Sequence, residues 1–312
     1  MRLNYLYLRR YPKIFRAMTG LTVAEFDSVV RDLLPRLVQA EYKRLSRPHR
    51  QRDIGGGHPF ELSTTDQILL TIVWLRLYPT HVVLGFLFGV SDTTAGRYLA
   101  RLVPLLEAAG RDTMRLPDPG RKRRRTLNTL FKALPDLEAI VIDSFEQRVQ
   151  RPPTRAEADT YYSGKKKQHT LKSQVGVNLF TGEIVAVSES VKGPTADLTL
   201  FRQSGLAAQL PPEVLRLFDL AYVGVAADDP TVTCWLPRRK PRGKPRPAED
   251  AIWNSIVAKM RIRVEHTIGR LRWYQALKQT DRHHRRHHTA RVVSCAGLVN
   301  RQLQHRFLGV PC

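Results

Sequence analysis

Between residues 21 and 34 apolar side chains recur at helical spacing, at Val23, Phe26, Val29, Val30, Leu33 and Leu34, with Thr22 in front as a capping hydroxyl. That pattern predicts an amphipathic helix, ended or kinked near Pro35. A break rich in Arg, Pro and Gly follows from Arg47 to His58. Ser63 then opens a second helical run, Thr64 to Tyr78, with Ile68, Leu69, Ile72, Val73 and Leu75 buried and Pro79 at its end. A third, short helix fits His81 to Phe88, Gly89 supplies a tight corner, and Ser91 or Asp92 caps a fourth helix running to about Val103, before Pro104. Three helices with a glycine turn before a polar-faced last helix form the helix-turn-helix pattern. In it, Thr93, Thr94, Arg97 and Tyr98 would reach base edges in the major groove. A plain helical bundle, with Arg97 and Arg101 on its solvated face, fits the local sequence equally well.

From about residue 135 the pattern becomes mixed. Leu137 to Ile142 is a short apolar run that predicts a buried strand ending at Asp143. His169 to Phe180 and Glu183 to Ser190 alternate around Thr181-Gly182 and predict a hairpin. A helix over Pro194 to Ala208 follows, then strands over Val214 to Phe218, ending at Asp219, and over Thr231 to Leu236. Beyond a charged, proline-broken loop, Glu249 to Lys278 and His287 to His305 read as two long helices. The order predicts a mixed α/β domain rather than a regularly alternating parallel sheet. The expected division is a helical domain at 1–112, a basic linker at 113–134 and an α/β domain at 135–312.

Charge changes the picture. The chain has 312 residues, 51 Lys+Arg and 28 Asp+Glu, a net charge of +23. Such an excess points to a polyanionic partner, because Lys and Arg release condensed counterions when they neutralise phosphates. No apolar stretch approaches the ~20 residues of a spanning helix and the first 16 residues carry no signal core, so nucleic acid is favoured over a membrane. Three cysteines, Cys234, Cys295 and Cys312, form neither a CxxC pair nor a disulfide framework, which fits a reducing interior. The runs Arg121-Lys122-Arg123-Arg124-Arg125 and Lys165-Lys166-Lys167, the latter with His169 and Lys172, suit a phosphate backbone, as do Arg238, Arg239 and Lys240. For the lysine run, a solvated hairpin edge is the competing reading. His283, His284, His287 and His288 flank Arg285-Arg286, which favours a DNA-facing arm over a metal site.

Two expected strands end in aspartate, Asp143 and Asp219, and a third acid, Glu265, shares a helix face with Arg261 and Arg272. Three converging acids raise one another's pKa unless something positive lies between them, and a hard divalent cation suits that place. Two such ions about 3.5–4 Å apart can clamp both oxygens of an in-line phosphoryl displacement. From spacing alone, a strand-end turn for Asp143, a cap for Asp219 and a salt bridge from Glu265 to Arg261 remain open.

Several motifs resemble the DDE superfamily endonucleases, the insertion-sequence and Harbinger-like transposases. They are Ile142-Asp143 with Arg151-Pro152, the run Tyr162 to Lys172, Gly193-Pro194 with Ala196-Asp197, Asp219 with Tyr222 and Gly224, and Asn254 with Arg261, Val264-Glu265-His266 and Ile268-Gly269. The segment from Leu21 to Ser91 resembles the helix-turn-helix region that precedes such domains. The resemblance implies a ribonuclease H-like mixed sheet after an all-α helix-turn-helix domain. It implies two Mg²⁺ ions, with Mn²⁺ as substitute, held by Asp143, Asp219 and Glu265, with Asp197 second choice for the second acid. Arg272 stands where the family has a lysine. The implied activity is cleavage and strand transfer of double-stranded DNA at terminal inverted repeats, by at least a dimer in a nucleoid-associated, cytoplasmic setting. A captured, non-catalytic DNA-binding regulator and a plain metal-dependent endonuclease are the alternatives.

Overall fold

The computed structural model of the chain describes residues 2–46, 60–114 and 139–307. The basic run Arg121–Arg125, most of the expected linker, the break after Arg47 and Cys312 lie outside the described residues. No helix among those described is long and apolar enough to cross a membrane. The chain divides into two compact units, one of Met1–Asp112, Trp273–Ala276 and Val293–Cys312, the other of Thr113–Arg272 and Leu277–Val292.

The first unit is helical: α1 (Tyr5–Leu8), α2 (Pro12–Thr19), α3 (Val23–Leu45), α4 (Thr64–Leu77), α5 (His81–Phe88) and α6 (Asp92–Arg111). Thr22 and Glu25 form a reciprocal capping box that starts α3. Gln67 through Leu75 of α4 are all buried, so this helix is the centre of the unit. Its polar side chains are matched internally, Gln67 Nε2 donating to the Leu62 carbonyl at 2.8 Å and Thr71 Oγ1 to the Gln67 carbonyl at 2.9 Å.

Two helices outrun the boundaries the sequence suggests. α3 continues through Pro35 and α6 through Pro104. An interior proline costs about 3 kcal/mol, whereas each buried leucine returns roughly 1.5–3 kcal/mol. Leu37 lies beyond the first proline, and Leu106 beyond the second, both buried. Packing therefore wins.

Two segments from the far end of the chain complete this unit, which departs from the expected division. The helix His288–Phe307 brings Gly297 against Gly110 of α6, where a Cβ on Gly297 would lie 2.4 Å from the Gly110 Cα. Gln302 Nε2 donates to the Gly20 carbonyl at 2.6 Å, and Arg301 pairs with Asp32 at 2.5 Å.

The second unit holds a mixed sheet: β1 (Ala139–Arg148), β2 (Tyr162–Ser163), β3 (Gln168–Asn178), β4 (Ile184–Val187), β5 (Val191–Lys192), β6 (Leu215–Leu217) and β7 (Cys234–Trp235). The order is β2-β3-β1-β6-β7, with β4 and β5 also paired to β3. β1 runs antiparallel to β3 and parallel to β6, and β6 parallel to β7. The expected hairpin forms as β3 and β4, with Gly182 at φ 76°. Ile140, Ile142, Phe201, Phe218 and Tyr222 belong to one core cluster, and the long helix Ala248–Leu271 completes the unit's main elements.

Three expected boundaries shift here. β1 does not end at Asp143 but continues to Arg148, because Phe145 and Gln147 keep facing inward. Gln147 can do so because its amide donates to the Gln279 carbonyl at 2.8 Å and pairs with His288 Nε2 at 2.8 Å. The helix expected over 194–208 is two pieces, Asp197–Gln203 and Leu206–Gln209, parted by Gly205 at φ 68°. The helix expected to reach Lys278 stops at Leu271, and a short one, Gln275–Lys278, follows.

Candidate active site

Register places the first two acids side by side. Val141 of β1 pairs with Leu217 of β6 in parallel. Asp143 and Asp219 each stand two residues beyond that pair, so the two carboxylates stand side by side just past the end of β6 and midway along β1. Asp143 Oδ1 accepts from the Ser144 backbone N–H at 2.8 Å. Asp219 caps a 3₁₀ turn at Leu220–Tyr222, its Oδ1 accepting from the Ala221 N–H at 2.7 Å. The cap and the site thus use different oxygens of one carboxylate.

Arg261, from the helix Ala248–Leu271, reaches over both acids. Its Nη2 lies 3.3 Å from Asp143 Oδ2 and 4.0 Å from Asp219 Oδ2. Its Nε is buried and has no hydrogen-bond partner among the described residues. Even so, the Asp143 carboxyl is pushed above its ordinary pKa. Burial is the largest cause, outweighing the Ser144 N–H and Arg261, and the neighbouring charges of Asp219 and Asp197 add to it.

Asp197 is part of the same neighbourhood but is held differently. It begins the helix Asp197–Gln203, accepts from Ser144 Oγ at 2.6 Å and pairs with Lys172 Nζ at 2.9 Å. Lys172 also lies 3.9 Å from Glu146 and donates to the Thr195 carbonyl at 2.5 Å. It faces Glu146 across the β1–β3 register and is only 7% exposed. The expectation that Lys172 contacts a phosphate backbone is therefore corrected: its ammonium is directed into the protein and matched by two carboxylates.

Tyr222 was matched in sequence only by resemblance, with no role attached. It is fully buried, and its hydroxyl accepts from Gln174 Nε2 at 2.8 Å. Burial first, then the carboxylates of Asp197, Asp143 and Asp219, drive its pKa far up, so the hydroxyl stays neutral. It offers the crowded acids a dipole rather than another charge. Gln174, opposite Ser144 in the ladder, was not anticipated at all.

Glu265 lies one helical turn, about 6 Å, beyond Arg261 and is exposed. No hydrogen bond or ion pair joins it to Asp143 or Asp219 among the described residues. Nor do any three acidic, histidine or cysteine side chains described here stand close enough to enclose a metal ion as placed. The donor chemistry nevertheless fits a hard divalent cation. All three candidates are carboxylates, and Asp143 and Asp219 share a single cation, Arg261, whose Nη2 lies 3.3 and 4.0 Å from them.

Residues 142–300, which are 159 of the 312, match the family described as DDE superfamily endonuclease. The chain belongs to that family. Residues 60–112 match the helix-turn-helix of DDE superfamily endonuclease. The chain is also 27% identical to the probable transposase for insertion sequence element IS702 of Microchaete diplosiphon, over 290 residues, 93% of this chain and 94% of that protein.

In this DDE endonuclease the α5–α6 turn has Gly89 at φ 70°, and Ser91 Oγ accepts from the Thr94 N–H at 3.0 Å to start α6. Thr93 and Arg97 are exposed, while Thr94 is half-buried with its hydroxyl accepting from Ser91 Oγ at 2.9 Å. Tyr98 is buried beside Phe60, so the expectation that it reaches a base is corrected. The spacing carried that answer: Ala95, Tyr98, Leu99, Leu102 and Leu106 form one buried stripe.

The other basic positions separate by surroundings. Lys165, Lys166 and Lys167 are exposed in the β2–β3 turn, with Lys167 at φ 52°, and His169 packs edge-on to Tyr162. Lys165, Lys166 and Arg272 line a small cavity of about 70 Å³ with Glu146 and Asp197. Arg239 and Lys240 are exposed, whereas Arg238 pairs with Asp250 at 2.9 Å. Asn254 anchors that loop, its side chain accepting from the Arg238 N–H at 2.7 Å and donating to the Arg238 carbonyl at 3.0 Å.

Proposed function

We propose that this chain is a DNA transposase whose α/β unit has a ribonuclease H-like fold. The observation that carries the reading is the shared position of Asp143 and Asp219, each two residues past the Val141–Leu217 pair of adjacent parallel strands, where β6 ends and β1 runs on. Family membership and the named IS702 relative support it.

Asp143, Asp219 and Glu265 would hold two Mg²⁺ ions, or Mn²⁺ in their place, with Asp197 as reserve for the second acid. Such ions, when bound, supply charge neutralisation at the attacking and leaving oxygens of a phosphodiester. Arg261 and Arg272 balance phosphate charge on the glutamate's side of the helix. Water loses a proton and adds to phosphorus, and the 3′-oxygen leaves and takes a proton. The resulting 3′-hydroxyl then loses its proton and attacks a target phosphodiester, joining to its 5′-phosphate while the target's 3′-oxygen leaves and is protonated. Thr93, Thr94 and Arg97 read the terminal inverted repeats from α6. Lys165, Lys166, Lys167, His169, Arg239 and Lys240 position the backbone, with Arg238 beside them, and Arg121, Lys122, Arg123, Arg124 and Arg125 extend that track. Two ends must be cut together, which calls for a dimer or larger assembly on DNA, in a nucleoid-associated setting.

The test is Mg²⁺- or Mn²⁺-dependent nicking and joining of a duplex carrying the element's ends. Asp143→Asn, Asp219→Asn and Glu265→Gln each lower both activities by about two orders of magnitude or more while DNA binding persists, since even outer partners of metal ligands are worth 10–100-fold. Asp197→Asn keeps measurable activity. Folded, DNA-bound wild type that never cuts would instead identify a captured regulator, and cutting without joining a plain endonuclease.

A further inference from the structure

A second cavity, of about 980 Å³, opens in the α/β unit away from the carboxylates. Its walls come from the end of β1, the helix Arg155–Tyr161, β5 and the segment Asp281–Arg286. The charge on those walls is unbalanced. The two acids that line it are already matched: Glu157 pairs with Arg285 at 2.8 Å, and Asp281 is buried against Arg291. Arg151, Lys192 and Arg286 are exposed around the same space and have no carboxylate partner among the described residues. Arg286 Nε donates to His287 Nε2, a neutral acceptor, at 3.0 Å.

The chemistry of the cavity selects phosphate over base. Tyr161 is its aromatic wall, but the Arg285 guanidinium sits 4.6 Å from the ring centroid and Lys192 Nζ 5.5 Å from it. Both cations are drawn to the ring's negative quadrupole and compete with a base for stacking on it. What remains is positive charge, which recognises an anionic backbone regardless of sequence.

The cavity is also tied to the acids. Thr195, on its wall, accepts the hydrogen bond from Lys172, and Lys172 holds Asp197. Along the chain, Val149 on the wall is six residues from Asp143. In extended backbone that is about 20 Å, or about six phosphates of one strand of a duplex. A duplex longer than about six base pairs covers that span.

We propose that Arg151, Lys192 and Arg286 form a phosphodiester-binding site for the DNA duplex beyond the phosphate being cut. The inference rests on the transposase reading. It adds a further sequence-independent contact to the one assigned to the lysine run.

The test measures binding of full-length protein to a blunt DNA duplex of arbitrary sequence by fluorescence anisotropy, between about 50 and 200 mM salt. Each phosphate contact contributes about 0.9 to the slope of log K against log salt. The triple variant Arg151→Gln, Lys192→Gln, Arg286→Gln should lose about 2.7 of that slope with an unchanged thermal midpoint. The variant Arg151→Lys, Arg286→Lys keeps the charge and should keep the slope. An unaltered slope in the triple variant would overturn the site and leave the transposase reading standing. Absence of duplex binding by wild type would overturn both.

Discussion

Two clusters of acid and base lie near one end of the sheet, and they are built to different tolerances. In the first, Lys172 is clamped by Asp197, Glu146 and the Thr195 carbonyl, and each acid has a further donor, Ser144 Oγ on Asp197 and Thr170 Oγ1 on Glu146 at 2.6 Å each. In the second, Arg261 lies at 3.3 and 4.0 Å from Asp143 and Asp219 and leaves its Nε unmatched among the described residues. Side-chain exposure follows the same order, 8% for Lys172 and 16% for Arg261. A fully satisfied buried pair fixes a geometry, whereas a loose one can exchange its cation. The tight cluster is scaffold and the loose one is where chemistry can happen.

The sharpest way to break this contrast is Lys172→Met. It strands two acids in a buried setting, and removing one partner of a buried pair costs about 3–5 kcal/mol. A thermal or urea melt should show that loss, with Lys165→Met as an exposed control that stays within about 0.5 kcal/mol. Equal effects at the two positions would erase the distinction between scaffold and surface.

That distinction was invisible in the sequence, where Lys172 follows Lys165, Lys166 and Lys167 as one more basic residue. Only strand register reveals it, by setting Lys172 opposite Glu146. Asp143 and Asp219 were legible because each follows an apolar run, yet the run before Asp143 misplaced the strand end. Gln147 looks like a solvent residue until His288 and the Gln279 carbonyl, far along the chain, supply its partners. Tyr98 was readable from helical spacing, and the prospect of a base contact outweighed it. The prolines at 35 and 104 misled for a related reason: local propensity was visible, and the packing that overrides it was not.

His288 extends the comparison to a basic group that has no carboxylate on its ring. It is buried, with Nδ1 at 2.7 Å from Ser190 Oγ and Nε2 at 2.8 Å from Gln147 Oε1. Burial, then the charge of Arg291, lowers its pKa from 6.5 to about 4, with Asp281 opposing. Between those values the unfolded chain binds a proton that the folded one refuses. Stability is therefore complete above 6.5 and falls as pH drops toward 4, by roughly 3 kcal/mol in all. Urea midpoints across that window should show the decline in wild type and a flatter profile in His288→Gln. A profile unchanged by the substitution would assign the decline to other groups.

The smallest expected effect is the most informative about the loose cluster. Arg261→Gln removes a mostly buried cation with imperfect contacts, so the metal-free protein should lose about 2 kcal/mol, less than Lys172→Met does. The same change leaves Asp143 and Asp219 with no counter-charge between them, and repulsion between close carboxylates grows when a cation is removed. A divalent ion then has more repulsion to relieve. Adding MgCl₂ should raise the thermal midpoint of Arg261→Gln by more than it raises that of wild type, while Lys172→Met gains no such increment. If Mg²⁺ stabilises wild type and Arg261→Gln equally, the guanidinium does not compete for those oxygens, and the two clusters differ in packing alone.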